Sequence, residues 1–478
     1  MRDRRERAKL KAVKRQAFVF VILALASGYV FADAYDFVPG FLTVREPEPV
    51  ASPYPELNPV EQEGQSELAL ASFADAPMPK AAQVQKALDG FLADNDHLKG
   101  HVSALVVDAI TGETLGEIDP DTPRTPASNM KVTTALAALD VLGGDTAFST
   151  ITALDGNTVY LIGGGDVLLG MEDPDPNAAY GHSSIPQLAE ATAKALKDKG
   201  VTSISLRVDS TLFAEPLYHE GVEPANRQYV MQARPLGTKE AANTELFGED
   251  PDLRVAQLLT EKLREQGIEV DSVERTSTPS PESAIELARV ESASVRQLVD
   301  YMLTNSDNST AETLAHLVAV KSGKPASFAG GADAVRNTLD SLGVQTDDLI
   351  FADGSGLSND NRLTARALVE IADLVWHDGG EKYGALAAGL PVGGYNGTLN
   401  SRFMEDGMGG LVHAKTGSLS KVVSLSGYLQ TKQGRLLEFA VIVDDIPDKR
   451  VNPETEEEEP VPAVKPAMDK TLVAIANL

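Results

Sequence analysis

The stretch Ala127-Ser128-Asn129-Met130-Lys131 leads into Val132-Thr133-Thr134-Ala135-Leu136-Ala137-Ala138-Leu139, an apolar run that predicts a buried helix. Residues three positions apart share one face of a helix, so we expect Ser128 and Lys131 to lie side by side. A serine hydroxyl becomes a useful nucleophile when a neighbouring base accepts its proton, and a lysine whose charge is suppressed by burial can be that base. Alone, the pattern Ser-x-x-Lys indicates a helix cap more often than a nucleophile, because it recurs by chance, as in Ser418-Leu419-Ser420-Lys421.

Two more motifs follow this one along the chain. They are Ser306-Asp307-Asn308 and Lys415-Thr416-Gly417. The order Ser-x-x-Lys, Ser-Asp-Asn, Lys-Thr-Gly resembles the signature set of the penicillin-binding proteins and serine β-lactamases. Three matches in this order favour an enzyme that forms an acyl intermediate on Ser128.

The composition indicates a folded protein that does not bind nucleic acid. The chain has 478 residues, of which 42% are hydrophobic and 23% charged, so it is long enough for two or more domains with buried cores. The net charge of −28 argues against nucleic acid as a partner, because phosphate binding needs clustered Lys and Arg. The absence of cysteine from the sequence excludes disulfides and thiol chemistry.

The N-terminus has the three-part pattern of a secretory signal. Residues 1–16 are rich in Lys and Arg, residues 17–32 carry no charge, and Ala32-Asp33-Ala34 fits the small-x-small pattern of a cleavage site. We expect residues 1–34 to be a signal peptide or, if uncleaved, a signal anchor that associates the chain with the membrane. Residues 35–80 are rich in Pro and Glu and are expected to be a flexible linker. The bulk of the chain then lies outside the cytoplasm, secreted or anchored in the cell envelope.

A long stretch between the first two motifs carries none of them. Residues 81–140 and 282–478 are predicted to form a discontinuous catalytic domain of α+β class, in which helices flank an antiparallel sheet. Residues 141–281 alternate short β-like runs with helical stretches and are predicted to be an inserted α/β region of one or two domains. We expect this insert to shape the access of the substrate without supplying catalytic groups.

The chain resembles the low-molecular-mass class C penicillin-binding proteins from about residue 81 to about residue 443. The resemblance rests on the motif order, the long insert and the phrase Asp353-Gly354-Ser355-Gly356-Leu357-Ser358. Members of this DacB-like family are exported D-alanyl-D-alanine carboxypeptidases and endopeptidases that act on peptidoglycan. The resemblance implies a transpeptidase domain of the penicillin-binding-protein and β-lactamase type, with peptidoglycan stem peptides and β-lactam antibiotics as its ligands.

The resemblance also implies a role for each motif residue. Ser128 would attack the carbonyl of the penultimate D-alanine, and Lys131 would accept the proton of its hydroxyl. Ser306 would relay a proton towards the leaving amine, and Asn308 would hold the peptide amide. The terminal carboxylate would be bound by Lys415, Thr416, Gly417 and Ser418.

Two further residues are predicted to recognise the side chain of the substrate. Asp166, in Gly164-Gly165-Asp166, matches a family position near the cleft and would pair with an ammonium group on the third stem-peptide residue. Family members often have an arginine directly after Gly-Ser-Gly-Leu-Ser, where this chain has Asn359, so Arg362 is the expected substitute. The alternative is that Asp166 caps a turn and Arg362 is solvated.

Two other functions fit parts of the pattern. A serine β-lactamase of class A would carry a deacylating glutamate in a Glu-x-x-Leu-Asn segment, and none of these glutamates begins one: Glu312, Glu370, Glu381 and Glu405. A non-catalytic cell-wall-binding or scaffold protein of the same fold is the other alternative, and the intact motif residues argue against it. The seven histidines form no His-Glu-x-x-His pattern, so we predict neither a metal nor a cofactor.

Overall fold

The computed structural model describes residues 29, 75–96, 100–238, 250–447, 449–451, 458–460 and 464–478. All of these except Tyr29 belong to one unit, Leu70–Leu478. Apart from Tyr29, the predicted signal segment lies outside the described residues, as does most of the predicted linker. Among the residues that are described, no helix combines the length and the apolar character needed to cross a membrane.

An antiparallel sheet carries the third motif on its edge strand. Its strands, in the order in which they pair, are β2 (Thr114–Ile118), β1 (His101–Asp108), β10 (Leu436–Asp444), β9 (Val422–Gln430) and β8 (Val412–Leu419). Every residue of β10 is buried, and so is every residue of β9 except Gln430. Strands buried on both faces need a layer of helices on each side. β8 lies at the edge and contains Lys415, Thr416 and Gly417.

Two helices cover one face of this main sheet. They are α1 (Ala81–Asp96) and α10 (Val464–Ala476). Leu88 of α1 and Leu472 of α10 are fully buried in the same apolar cluster as Phe439 of β10. Helices distant in sequence therefore complete one core.

A layer of helices covers the other face. Its central helix is α2 (Met130–Val141), in which every residue from Met130 to Leu139 is buried. A helix that is buried on all sides belongs to the interior of a large domain, which confirms the buried helix predicted after Ser128. The surrounding helices are α5 (Val295–Asn305), α6 (Asn308–Lys321), α7 (Phe328–Ser341), α8 (Ala365–His377) and α9 (Gly384–Ala388).

A second sheet of five strands lies between α2 and α5 in the sequence. Its strands, in pairing order, are β6 (Glu269–Arg275), β5 (Ser203–Asp209), β4 (Thr158–Gly163), β3 (Ser149–Asp155) and β7 (Ile285–Glu291). β4, β5 and β6 run parallel, whereas β3 is antiparallel to β4 and β7. Two helices share its core, α3 (Ile185–Asp198) and α4 (Pro251–Glu265). Since β7 pairs with β3, the sheet continues past residue 281, where the sequence places the end of the insert.

Two short strands, β11 (Lys449–Val451) and β12 (Glu458–Pro460), pair with each other. The main sheet is antiparallel throughout, and helices form separate layers on its two faces. This arrangement confirms the α+β class that the sequence predicts.

Glu438, in the middle of β10, is a buried carboxyl group. It is 0% exposed, and neither carboxyl oxygen has a hydrogen-bond partner among the described residues. Burial, reinforced by the charges of Asp373 and Asp108, raises the pKa of Glu438 to about 8. The pKa of an unfolded glutamate is about 4.3, so folding favours the protonated form. The contribution of protonated Glu438 to the free energy of unfolding is therefore fully present below about pH 4.3, and it is lost as the pH rises towards 8.

We predict that Glu438→Gln is more stable than the wild type at pH 8 by about 1–3 kcal/mol, because the variant no longer buries a carboxyl group that ionises. The difference should shrink towards about pH 5, where the wild-type group is protonated. Denaturant unfolding at both pH values measures it, with Glu269→Gln, an exposed position of β6, as the control. A Glu438→Gln variant that is less stable than the wild type at the higher pH would contradict this account.

Candidate active site

Ser128 lies in a tight turn that is fixed to the main sheet. It belongs to a single 3₁₀ turn before α2, in which Ala127 has a φ of 49°. A positive φ is uncommon outside glycine and persists where surrounding contacts hold it. Asn129 supplies such contacts, since its Nδ2 donates to Ser424 Oγ at 2.7 Å and its Oδ1 accepts from Ser426 Oγ at 2.6 Å. The turn that carries Ser128 is therefore anchored to β9.

Lys131 lies on the first turn of α2, with its ammonium group beside Ser128. Its Nζ is 3.0 Å from Ser128 Oγ. The same Nζ donates to Asn308 Oδ1 at 2.6 Å and to the carbonyl oxygen of Ser355 at 2.7 Å. The distance to Ser128 is within the range for direct proton transfer.

Burial also changes the acidity of this ammonium group. It lowers the pKa of Lys131 to about 8, although the charges of Asp353, Glu312 and Asp307 act in the opposite direction. A lysine with this pKa is partly neutral near physiological pH and can then accept a proton. Lys131 thus has both the position and the acidity of a general base.

Ser306 and Asn308 lie where two helices meet. Ser306 ends α5 in the left-handed conformation, with φ 55° and ψ 39°. Asp307 caps α6 by accepting from the Thr310 N–H at 2.7 Å. The sharp break between the helices turns Ser306 Oγ towards Lys415 Nζ, which donates to it at 2.9 Å.

Strand β8 runs close beside the turn of Ser128. A Cβ atom at Gly417 would lie 2.1 Å from Ser424 Oγ and 2.6 Å from the carbonyl oxygen of Pro126. Only glycine allows two pieces of backbone to approach so closely. The Lys-Thr-Gly motif therefore needs its glycine for packing, and this packing brings the strand to the nucleophile.

Lys415 is the second buried lysine of the site. Burial and the neighbouring charge of Lys131 hold the pKa of Lys415 well below its usual range. The two residues that follow with hydroxyl groups are more accessible, since Thr416 is half-buried and Ser418 is exposed. A bound carboxylate would favour the protonated form of Lys415, so this part of β8 can offer such a ligand a cation and two hydroxyl groups.

The structure brings five of the predicted residues together, and we call them the Ser128 cluster: Ser128, Lys131, Ser306, Asn308 and Lys415. Their contacts form two groups that are joined through the short segment from Ser306 to Asn308. Each group contains one serine hydroxyl beside one buried lysine. This arrangement suits nucleophilic attack on a carbonyl by one hydroxyl and proton transfer to a leaving group by the other.

Asp166 and Arg362 are engaged elsewhere in the protein. Asp166 is 4% exposed, and its carboxylate accepts from the Leu168 N–H at 2.9 Å and from Ser183 Oγ at 3.0 Å. Burial raises the pKa of Asp166 to about 6. Arg362 Nη1 donates to the carbonyl oxygen of Asn359 at 2.6 Å. These contacts are those of a turn cap and a loop brace, and the substrate-reading role of the two residues stays a prediction.

Four residues without a role in the sequence analysis contact the cluster or support one of its members. The carbonyl oxygen of Tyr229 accepts from Asn308 Nδ2 at 2.8 Å. Of the four, Asn129 lies within the Ser-x-x-Lys motif and Ser355 within the phrase that carries the family resemblance. The set consists of Asn129, Tyr229, Glu312 and Ser355.

In the described part of the chain, one group of side chains could hold a metal ion. It consists of His101, Asp444 and Asp445. Asp444 already accepts from Arg124 Nη1 at 3.0 Å and from the Thr125 N–H at 3.2 Å. The group has no residue in common with the Ser128 cluster.

Residues 84–246 and 237–461 match the D-Ala-D-Ala carboxypeptidase 3 (S13) family. The chain is 33% identical over 385 residues to a carboxypeptidase of Mycobacterium tuberculosis, a match that covers 77% of this chain and 81% of the relative. It is 30% identical over 451 residues to the D-alanyl-D-alanine carboxypeptidase of an Actinomadura species, covering 78% of this chain and 82% of the relative.

Among solved structures, penicillin binding protein 4 (dacB) from Haemophilus influenzae has a similar fold. The TM-score is 0.63 at 19% sequence identity, and the match covers 81% of this chain and 98% of that one. The likeness confirms the transpeptidase-type fold that the sequence predicts.

We predict that Asp166→Ala lowers the free energy of unfolding by about 1–3 kcal/mol, because the Leu168 N–H and the Ser183 hydroxyl lose their acceptor inside the protein. Denaturant unfolding of the variant and the wild type measures the loss. Asp173→Ala, which removes an exposed carboxylate in the same region, is the control. An unchanged free energy of unfolding would show that the fold does not need this carboxylate as a cap.

Proposed function

Because the chain belongs to the D-Ala-D-Ala carboxypeptidase 3 (S13) family, we propose that its reaction proceeds through an acyl-enzyme on Ser128. The protein is a serine-type D-Ala-D-Ala carboxypeptidase, a hydrolase that acts on peptidoglycan stem peptides. The assignment of Ser128 rests on one observation above all, the 3.0 Å separation between its Oγ and the buried Nζ of Lys131.

Acylation joins Ser128 Oγ to the carbonyl carbon of the penultimate D-alanine while neutral Lys131 takes the hydroxyl proton. The carbonyl oxygen becomes an oxyanion, which the backbone N–H groups of Ser128 and Ser418 stabilise. The bond to the terminal D-alanine then breaks, and its amine receives a proton through Ser306, whose Oγ accepts from Lys415 Nζ at 2.9 Å. Hydrolysis of the ester by water adds OH to the acyl carbon and H to Ser128 Oγ, which releases the shortened peptide, and the proton held by Lys131 replaces the one that Lys415 gave up.

Strand β8 and Asn308 would position the substrate for this attack. The ammonium group of Lys415 and the hydroxyl groups of Thr416 and Ser418 complement a terminal carboxylate. The side-chain amide of Asn308 has two N–H groups, of which one donates to the Tyr229 carbonyl. The other remains for a carbonyl of the peptide.

The same acyl-enzyme supports two related reactions. Endopeptidase cleavage of a cross-linked stem peptide and opening of a β-lactam ring both begin with attack by Ser128, so we extend the proposal to both. A scaffold protein without activity would not need a buried lysine of lowered pKa beside a serine hydroxyl. The N-terminal charge pattern supports a location outside the cytoplasm, either secreted or held at the membrane.

We predict that penicillin forms one covalent adduct with the protein, on Ser128. Intact-mass measurement should show the adduct in the wild type and lose it in Ser128→Ala. Ser420→Ala, in the chance repeat of the motif, removes an exposed hydroxyl and should keep the adduct. A folded wild type without an adduct, or an adduct that survives Ser128→Ala, would refute the assignment.

We predict that Lys131→Ala slows acylation by about 10²–10⁴-fold, the usual contribution of a general base. In the wild type the acylation rate should rise with pH and level off above pH 8, because Lys131 below its pKa is protonated and cannot accept a proton. Stopped-flow acylation by a fluorescent penicillin measures both effects, and Lys421→Ala, an exposed lysine, should match the wild type. Parental rates in Lys131→Ala would overturn the base assignment.

A further inference from the structure

The buried loop Asp353–Ser358 packs directly beneath the nucleophile. A Cβ atom at Gly356 would lie 1.9 Å from the carbonyl oxygen of Ala127, and one at Gly354 would lie 2.8 Å from the carbonyl oxygen of Ala311. The loop is therefore wedged between the turn that carries Ser128 and helix α6. A displacement of the loop would therefore shift residues of the Ser128 cluster even if none of those residues were substituted.

Glu312 of α6 holds this loop by its backbone. Its Oε2 accepts from the Gly354 N–H at 2.9 Å, and its Oε1 accepts from the Ser355 N–H at 3.0 Å. The side chain of Glu312 is buried, and each of its carboxylate oxygens has a backbone N–H donor in this loop. A carboxylate that accepts a backbone N–H on each oxygen fixes both the position and the orientation of the peptide groups.

The loop also contacts Lys131 directly. The carbonyl oxygen of Ser355 accepts from Lys131 Nζ at 2.7 Å, and this same Nζ lies 3.0 Å from Ser128 Oγ. We propose that Glu312 is a positioning residue for acylation: it binds the N–H groups of Gly354 and Ser355 and so fixes the backbone of Ser355, whose carbonyl oxygen holds Lys131 towards Ser128.

Other side chains stiffen the loop without touching Lys131. Asp353 accepts from the Gly356 N–H at 2.7 Å and from the Ser358 N–H at 2.6 Å. Thr134 of α2 donates its hydroxyl proton to the Gly354 carbonyl oxygen at 2.8 Å. The loop is thus held from α2 by Thr134 and from α6 by Glu312, and Asp353 binds the Gly356 N–H, which belongs to the same peptide group as the Ser355 carbonyl.

The charge of Glu312 acts on Lys131 as well. Three carboxylates raise the pKa of Lys131 against the effect of burial, those of Asp353, Glu312 and Asp307, and the buried Lys415 is the neighbouring cation. Burial and the charge of Asp353 raise the pKa of Glu312 itself, and the donors on its oxygens and the charge of Lys131 oppose this shift. His316, one helical turn further along α6, contributes no charge at neutral pH, since burial lowers its pKa to about 4.

These contacts distinguish Glu312 from a deacylating base. Both of its oxygens are taken by the loop, and the described structure gives it no hydrogen bond to Ser128. It therefore acts through the backbone of Ser355 and through its charge, and the inference rests on the proposed function of Lys131 as proton acceptor.

The test measures the penicillin binding constant and the acylation rate constant of the Glu312→Gln variant separately. Single-turnover kinetics over a range of penicillin concentrations should show an acylation rate constant reduced by about 100-fold, as expected when a reacting group is misplaced. The binding constant should stay close to that of the wild type, because the carboxylate site on β8 is intact. The midpoint of the pH profile should move to lower pH, because Lys131 loses a carboxylate that raises its pKa.

Two further variants separate the charge of Glu312 from its geometry. Glu312→Asp keeps the charge on a shorter side chain, so the rate constant should fall while the midpoint stays near that of the wild type. Thr134→Val loosens the loop from the other side and should lower the rate constant without moving the midpoint. Glu370→Gln is the control, because Glu370 is a half-buried helical glutamate that accepts a backbone N–H, from Gln345, and is not part of the Ser128 cluster or of the loop Asp353–Ser358.

An unchanged rate constant and midpoint in Glu312→Gln would overturn the proposal. A purely structural role would also overturn it. In that case the variant would lose thermal stability and active fraction, but its folded molecules would keep the wild-type rate constant and midpoint. If Glu312→Gln does not fold, wild-type rate constants in both Glu312→Asp and Thr134→Val would overturn it instead. Failure of the wild type to be acylated at all would contradict the proposed function and would be seen before any variant is compared.

Discussion

Two lysine side chains, those of Lys131 and Lys415, are 0% exposed in the same small region, and the rest of the site depends on satisfying them. A buried ammonium group is tolerated only if it is hydrogen-bonded, offset by opposite charge, or neutral. All three conditions are present here: Nζ of Lys131 has three oxygen partners, buried carboxylates lie nearby, and burial lowers the pKa of both lysines. The low pKa that the chemistry requires is thus a consequence of how deeply the fold buries the two lysines.

This constraint explains why distant parts of the chain must be joined so rigidly. Lys131 comes from α2 and Lys415 from β8, so the helix and the strand have to be held in one geometry. Asn129 bonds to β9, and Gly417 lets β8 approach the Ser128 turn more closely than any other residue would. Small packing residues and buried amides therefore set the distances on which proton transfer depends.

The sequence could predict the parts of the site that are local or belong to a motif. Ser128 and Lys131 lie one helical turn apart, so their contact follows from helix geometry alone. Asp166 could not be decided in this way, because a carboxylate after several glycines fits both a turn cap and an exposed binding group, and only burial separates the two. Glu312 could not be found either, since its partner Gly354 lies 42 positions away in a loop of irregular backbone.

The sequence suggests an insert that is separate from the catalytic domain, but in the structure the two regions are in contact. Tyr229, within the predicted insert, accepts from Asn308, and the N–H of Met231 donates to Ser309 Oγ at 3.0 Å. Both partners lie on the first turn of α6, where Asn308 ends the Ser-Asp-Asn motif and Ser309 follows it. Because one N–H of the Asn308 amide is bonded to Tyr229, this contact fixes the direction in which the other N–H points. The inserted region can therefore influence how a substrate is held even though it supplies none of the three motifs.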